Sequence, residues 1–236
     1  MTLNEKIWKQ YCAGLDFNNK LRLVENVANN ENFFIGKQWE GVVSNGLPTP
    51  VFNILKQIVL HQVATITSDN FTISATPLRA SANDKRLEMA SQVVNSELRA
   101  LFKVNKLPNL SRIMMRNAAV DGDGCMFTYF DPDAPTGLDG IKGAIKTEIV
   151  DNTRVLFGNP NSRNVQSQPY IIIWKRRQIC DVKDEARANG LSEEEIQNIS
   201  ADTDDNNSRM DSYVDDKCTV LTKLWRDKKT GTIWGW

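Results

Sequence analysis

Apolar positions in the first half of the chain recur at helical spacing. Val51, Ile54, Leu55, Ile58, Val59, Val63 and Ile66, with Gln62 in the same stripe, follow i, i+3, i+4 and i+7 steps and predict an amphipathic helix over 51–67. Pro50 suits its first turn, where a missing N–H costs nothing. A second helix is predicted over 83–103, with Leu87, Ala90, Val94, Leu98, Leu101 and Phe102 facing inward. A third follows Pro108 through Leu110, Ile113, Met114, Asn117 and Ala118. A weaker one spans 20–34, carried by Leu21, Val24, Val27 and Ala28. Residues 71–76 alternate bulky and small side chains before Pro77, as a short strand would.

The second half changes period. Residues 125–130 read as a strand ending at the turn signal Asp131-Pro132-Asp133, and 143–150, 154–157 and 170–174 read as further strands. Short helices are predicted at 178–189 and 192–199, the latter opened by a Ser192/Glu195 capping box. A strand over 219–226, a turn over 227–231 and a second strand over 232–236 close the chain. The fold class is therefore α+β, with several amphipathic helices and a mixed, mainly antiparallel set of short strands. It divides into a mainly helical portion, 1–124, and a β-rich portion, 125–236. The final strand stops almost where it starts, so the chain is expected to be the N-terminal piece of something longer.

The length of 236 residues allows one large domain or two small ones. With 41% hydrophobic and 25% charged residues, the chain belongs with globular proteins rather than disordered ones. Its 29 basic and 29 acidic residues cancel, which argues against a surface built throughout to grip a polyanion. The cancellation is not local. Between Asp181 and Asp216 stand 12 acids and three basic residues, a net of −9, and the rest of the chain carries +9. Such a run usually forms a solvated helix pair and loop, and otherwise serves as a partner surface. No apolar run is long enough to cross a bilayer, and the first residues lack the pattern of a signal peptide. Cys12, Cys125, Cys180 and Cys218 are widely spaced, which favours reduced thiols over a disulfide scaffold or a structural zinc site.

Candidate chemistry is sparse. Asp121, Asp123, Asp131, Asp133 and Asp139 form the richest acidic cluster, but a calcium loop counted from Asp121 would place Met126 sixth and Pro132 twelfth. Asp121-Gly-Asp-Gly124 reads more simply as a turn from helix into strand. Glycine-rich phosphate loops and a nucleophile elbow are absent. His61, the single histidine, lies off the apolar stripe of its helix. Lys175-Arg176-Arg177 could meet phosphates, or partner the nearby acids. Trp8, Trp39, Trp174, Trp225, Trp234 and Trp236 suit subunit interfaces and core packing equally. No catalytic, cofactor-binding or metal-ligating residue is assigned.

Several local patterns, in order, resemble the portal proteins of tailed bacteriophages. Asn32-Phe-Phe-Ile-Gly-Lys-Gln-Trp39 is similar to a segment near the start of those proteins, read here as Phe33/Phe34, Gly36, Gln38 and Trp39. A loop then enters a helix with an early asparagine, as in Leu47-Pro-Thr-Pro-Val-Phe-Asn53. The strand before Pro77, the long helix 83–103, the Ala119-Val-Asp-Gly-Asp-Gly124 turn, Val155-Leu-Phe-Gly-Asn-Pro160 and the strand over 218–225 continue the order. The resemblance covers about residues 30–236. It implies a non-enzymatic wing region of a ring, usually of twelve subunits, at a capsid vertex of the virion, assembled in the host cytoplasm. Double-stranded DNA would pass through the ring without sequence-specific binding. Capsid protein, scaffold, terminase and tail adaptor would dock on it, with no membrane and no cofactor involved. Stem, clip and channel loop are expected beyond Trp236. The alternatives are another head–tail adaptor protein, or a metal-dependent nuclease using the Asp121–Asp139 carboxylates.

Overall fold

The computed structural model describes residues 2–68, 73–76, 85–138, 140–162, 164–202, 216–227 and 229–235. Its architecture is α+β: among the described residues, seven α-helices and two small antiparallel sheets. The helices are α1 (Leu3–Lys20), α2 (Leu23–Ile35), α3 (Ile54–Ile66), α4 (Lys85–Val104), α5 (Leu107–Asp121), α6 (Ile179–Ala188) and α7 (Glu193–Gln197). The strands are β1 (Cys125–Leu138), β2 (Ile141–Val150), β3 (Val155–Phe157), β4 (Ile171–Gln178), β5 (Lys217–Arg226) and β6 (Ile233–Gly235). β1 pairs with β2, and the second sheet runs β3-β4-β5-β6. All five helices before Gly122 precede all six strands, so the change of period read near residue 124 is where helix gives way to strand. Compactness divides the chain along other lines: one unit holds Met1–Asn29 with Asp151–Trp236, and the other holds Asn30–Val150.

The first unit is built on a hydrophobic core. Tyr11 of α1, Leu156 of β3, and Ile172 and Trp174 of β4 are buried together, with Cys12, Leu15, Tyr170 and Leu221 against them. Trp174 is 2% exposed and its indole N–H donates to the Thr153 carbonyl, so its polar edge is satisfied inside the core. No element was expected over residues 3–19, yet α1 supplies Ile7 and Tyr11 to this interior. Its signals are local: a Thr2/Glu5 capping box satisfies its first amides, and Ile7, Tyr11 and Leu15 repeat at four-residue steps. β4 and β5 pair in register from Ile171↔Leu224 to Gln178↔Lys217. The Ser192/Glu195 capping box forms as expected and opens α7.

The second unit has little interior. Of its described residues, only Ser111, Ala134 and Val150 are buried. α3 and α4 pack against α5, and α5 against β2, yet neither α3 nor α4 has a buried residue. Asn105, following α4, ties that helix end to the sheet: its amide donates to the Leu101 and Ile145 carbonyls and accepts from the Thr147 N–H.

Two local expectations are corrected. Residues 73–76 form no strand, while Phe71 and Thr72 lie outside the described residues. The Asn95 side chain bonds both the N–H and the carbonyl of Ala75, at 2.6 and 3.3 Å, so a side-chain amide does what a neighbouring strand would do. Asp131-Pro132-Asp133 does not end β1. The strand continues through it to Leu138 with register shifts on either side of Pro135, which absorb the prolines that a regular ladder cannot hold.

Candidate functional site

The structure strings the acidic candidates along the chain rather than gathering them. Asp121 ends α5, Asp123 lies in the following turn, and Asp131 stands six residues along β1 from Cys125, about 20 Å at strand rise. Asp131 is engaged by Lys146 across the sheet at 2.5 Å and accepts the Asp133 N–H. The Lys146 hydrogen bond, then the Asp133 amide, hold its carboxyl below the usual carboxylate range. Asp133 is exposed and Asp139 lies outside the described residues. Among the described residues, no group of three or more His, Cys, Asp or Glu is placed to hold a metal ion. Gly124 is explained by packing: a Cβ there would sit 2.7 Å from the Met114 carbonyl oxygen, so only glycine lets the chain leave α5 this closely. His61 is an exposed residue of α3.

The basic cluster partners nearby acids. Arg176 is nearly enclosed, its side chain 3% exposed, and pairs with Asp202 while donating to the Thr219 hydroxyl and the Asp202 carbonyl. Asp202 also accepts the Thr219 N–H, which closes the network. Arg177 pairs with Glu185 on α6. Both carboxylates come from the acidic 181–216 stretch, so part of its charge is internal mortar for the β4–β5 end of the first unit.

Residues that carry the family resemblance converge in the second unit. Asn53 caps α3 by accepting the Lys56 N–H at 3.1 Å, and its amide donates to the Phe34 carbonyl at 2.9 Å. Gly36, at φ +91°, ends the α2 turn beside that amide, and a Cβ there would lie 3.2 Å from the Asn53 nitrogen. The Trp39 indole donates to the Pro50 carbonyl at 3.1 Å. Arg116 of α5 clamps the same corner: it pairs with both carboxylate oxygens of Glu31 and lies 4.5 Å from the centre of the Phe34 ring. The segments 32–39 and 47–53 are thus one folded corner, and the early asparagine of the third helix is its keystone. Sequence alone could not show that pairing, because Asn53 and Phe34 are 19 residues apart.

The same unit leaves much apolar surface uncovered. The α3 stripe reads as core-facing, and only Val59 and Val63 are partly sheltered. Ile54, Leu55, Ile58, Leu60 and Ile66 are each between 47% and 61% exposed, and Phe52 just before them is 77% exposed. α4 repeats the pattern: Leu98, Leu101 and Phe102 are half-buried, while Leu87, Met89, Val93 and Val94 face outward. Lone exposed apolar residues are normal, but contiguous patches mark surfaces that meet another molecule. In the first unit the β5–β6 hairpin pairs Trp225 with Trp234, and Trp234 is exposed. Trp174 by contrast is core, and Trp236 lies outside the described residues.

No protein-family model matches the chain, and no curated protein matches it. No helix among the described residues is long and apolar enough to cross a membrane.

Proposed function

We propose that the chain is the wing region of a portal subunit of a tailed bacteriophage, a structural part without catalysis. Copies of it form a closed ring at a capsid vertex, through which double-stranded DNA is packaged and ejected. Capsid protein, scaffold, terminase and tail adaptor dock on that ring. The observation that supports this reading most is the uncovered apolar face of α3 and α4. Burying a large apolar side chain contributes roughly 1.5–3 kcal/mol, so a face of this composition calls for a partner surface. A ring supplies one by repetition: each subunit covers part of the next. The ordered run of motifs from Asn32 to Trp225 is the second support, and those at 32–39 and 47–53 form a single braced corner within the second unit. Zero net charge accords with a conduit along which DNA must slide without being held. Subunit contacts fall on α3, α4 and the Trp225/Trp234 hairpin in this reading.

Negative-stain electron microscopy of the protein from its complete reading frame tests it. The expected result is rings with a central hole wide enough for duplex DNA. A folded product that remains monomeric or forms only small dimers would overturn the proposal.

A further inference from the structure

The first unit carries a cationic pocket that its own described acids do not fill. α1 contributes Leu3, Lys6 and Gln10, and the strand end contributes Tyr170, Lys223 and Trp225, around a cavity of about 400 Å³. Lys223 donates to the Gln10 side-chain Oε1 at 2.7 Å, and its ammonium lies 5.1 Å from the Tyr170 ring centre and 5.9 Å from that of Trp225. Neutral groups therefore orient the charge, and no carboxylate among the described residues pairs with Lys6 or Lys223. Loss of surrounding water, then the nearby Lys6 ammonium, depress the Lys223 pKa. Two ammonium groups at one cavity without a counter-ion among the described residues form a receptor for an anion. The ring faces are already occupied by Lys223, so the cavity suits a carboxylate better than a stacked base.

The opposite end of the same hairpin is acidic. The pocket sits where Ile171 pairs with Leu224, and α6 begins directly beyond the Gln178↔Lys217 pair, about 24 Å away at strand rise. There Glu185 and Asp202 are spent on Arg177 and Arg176, and Asp184 and Glu193 on Arg187. Asp181 of α6 and Glu194 of α7 are exposed and form no ion pair among the described residues. They lie at the far end of the strands from the Lys6–Lys223 pocket, so these carboxylates cannot reach the pocket of their own chain.

We infer that the Lys6–Lys223 pocket of one copy receives the acidic α6–α7 end of a second copy, Asp181 and Glu194 foremost. The contact joins unlike surfaces, so it propagates head to tail and closes into a ring when the rotation allows. It rests on the self-assembling reading above and names an electrostatic contact for it, in addition to the apolar face of the second unit.

Charge reversal tests it, read by sedimentation velocity and electron microscopy on the full chain. Lys6→Glu with Lys223→Glu forms one variant, and Asp181→Lys with Glu194→Lys the other. Lys6 lies in the first turn of α1, where an acid favours the helix, so Lys6→Glu alone serves as the variant sure to fold. Each reversed variant should associate about tenfold or more weakly than the unaltered chain, and salt should weaken the unaltered chain too. A mixture of the two reversed variants should regain assembly, since each then offers one matching pair of surfaces. Rings that form equally well from the Lys6 and Lys223 variants would overturn the contact and leave the ring reading standing. Failure of the unaltered chain to assemble at any salt would overturn both.

Discussion

The two compact units spend their apolar residues in opposite ways. In Met1–Asn29 with Asp151–Trp236, a set of large apolar side chains turns inward, since Leu156, Ile172, Trp174 and Ile196 are 2% exposed or less, although Trp8 and Trp234 stay exposed. In Asn30–Val150 they turn outward along α3 and α4, and the buried set is small and includes a serine. Composition does not separate them, since both halves carry regular amphipathic helices. The difference lies in what each helix stripe meets. α1 lays its stripe on a sheet that is itself apolar, whereas α3 and α4 pack against α5 with no residue of either buried. A unit of the first kind is stable through its own core. A unit of the second kind draws its stability from what covers it.

Breaking the first unit should be the largest effect. Trp174→Ala removes the centre of its core and should cost about 3–5 kcal/mol, seen as a loss of denaturation midpoint at any protein concentration. Leu55→Glu with Ile58→Glu should behave in the contrary way. Both residues are about half exposed, so helix content by circular dichroism should persist while association falls by at least tenfold in sedimentation velocity. Equal association would mean that the α3 face is not the covered one.

Smaller effects sharpen the same contrast. Asn53→Ala removes the α3 cap and leaves the Phe34 carbonyl without its donor, and should cost about 1–2 kcal/mol in a thermal or chemical melt. The smallest concerns Asp131, whose carboxyl is held low by Lys146 and the Asp133 amide. A depressed folded-state pKa makes its contribution complete above the ordinary carboxylate range and progressively lost as pH falls through the lowered value. Both partners are at the surface, so Asp131→Asn should leave the neutral-pH melt nearly unchanged and flatten only its acid side. A large loss at neutral pH would show that this bridge carries more of the second unit than its exposure allows.

Much of the fold was legible in local chemistry. α3, which starts at Ile54 behind the Asn53 cap rather than at Val51, α4 from Lys85, the strand beginning at Cys125, the separate strands β4 and β5 and the Ser192/Glu195 cap follow from periodicity and capping, which act over a few residues. α1 escaped because its few apolar residues stand amid polar neighbours, although Thr2 and Glu5 carried its start signal. The strand expected before Pro77 failed because alternation states a preference for extended backbone and does not name its partner, here the Asn95 amide. Asp121 and Asp131 looked like a cluster because sequence distance is short, but a strand running from Cys125 converts six residues into about 20 Å. Asn53, Gly36 and Trp39 were singled out by resemblance, and the physical reasons are the hydrogen bonds of Asn53 and Trp39 and the positive φ and close Asn53 approach at Gly36.

Amide hydrogen exchange followed against protein concentration tests the contrast most directly. If copies of the chain cover the second unit, protection in α3 and α4 should rise steeply as concentration passes the assembly threshold, while β4 and β5 of the first unit keep the same protection throughout. Protection in α3 and α4 that is high and independent of concentration would contradict the account, because the second unit would then be stable with its apolar face uncovered.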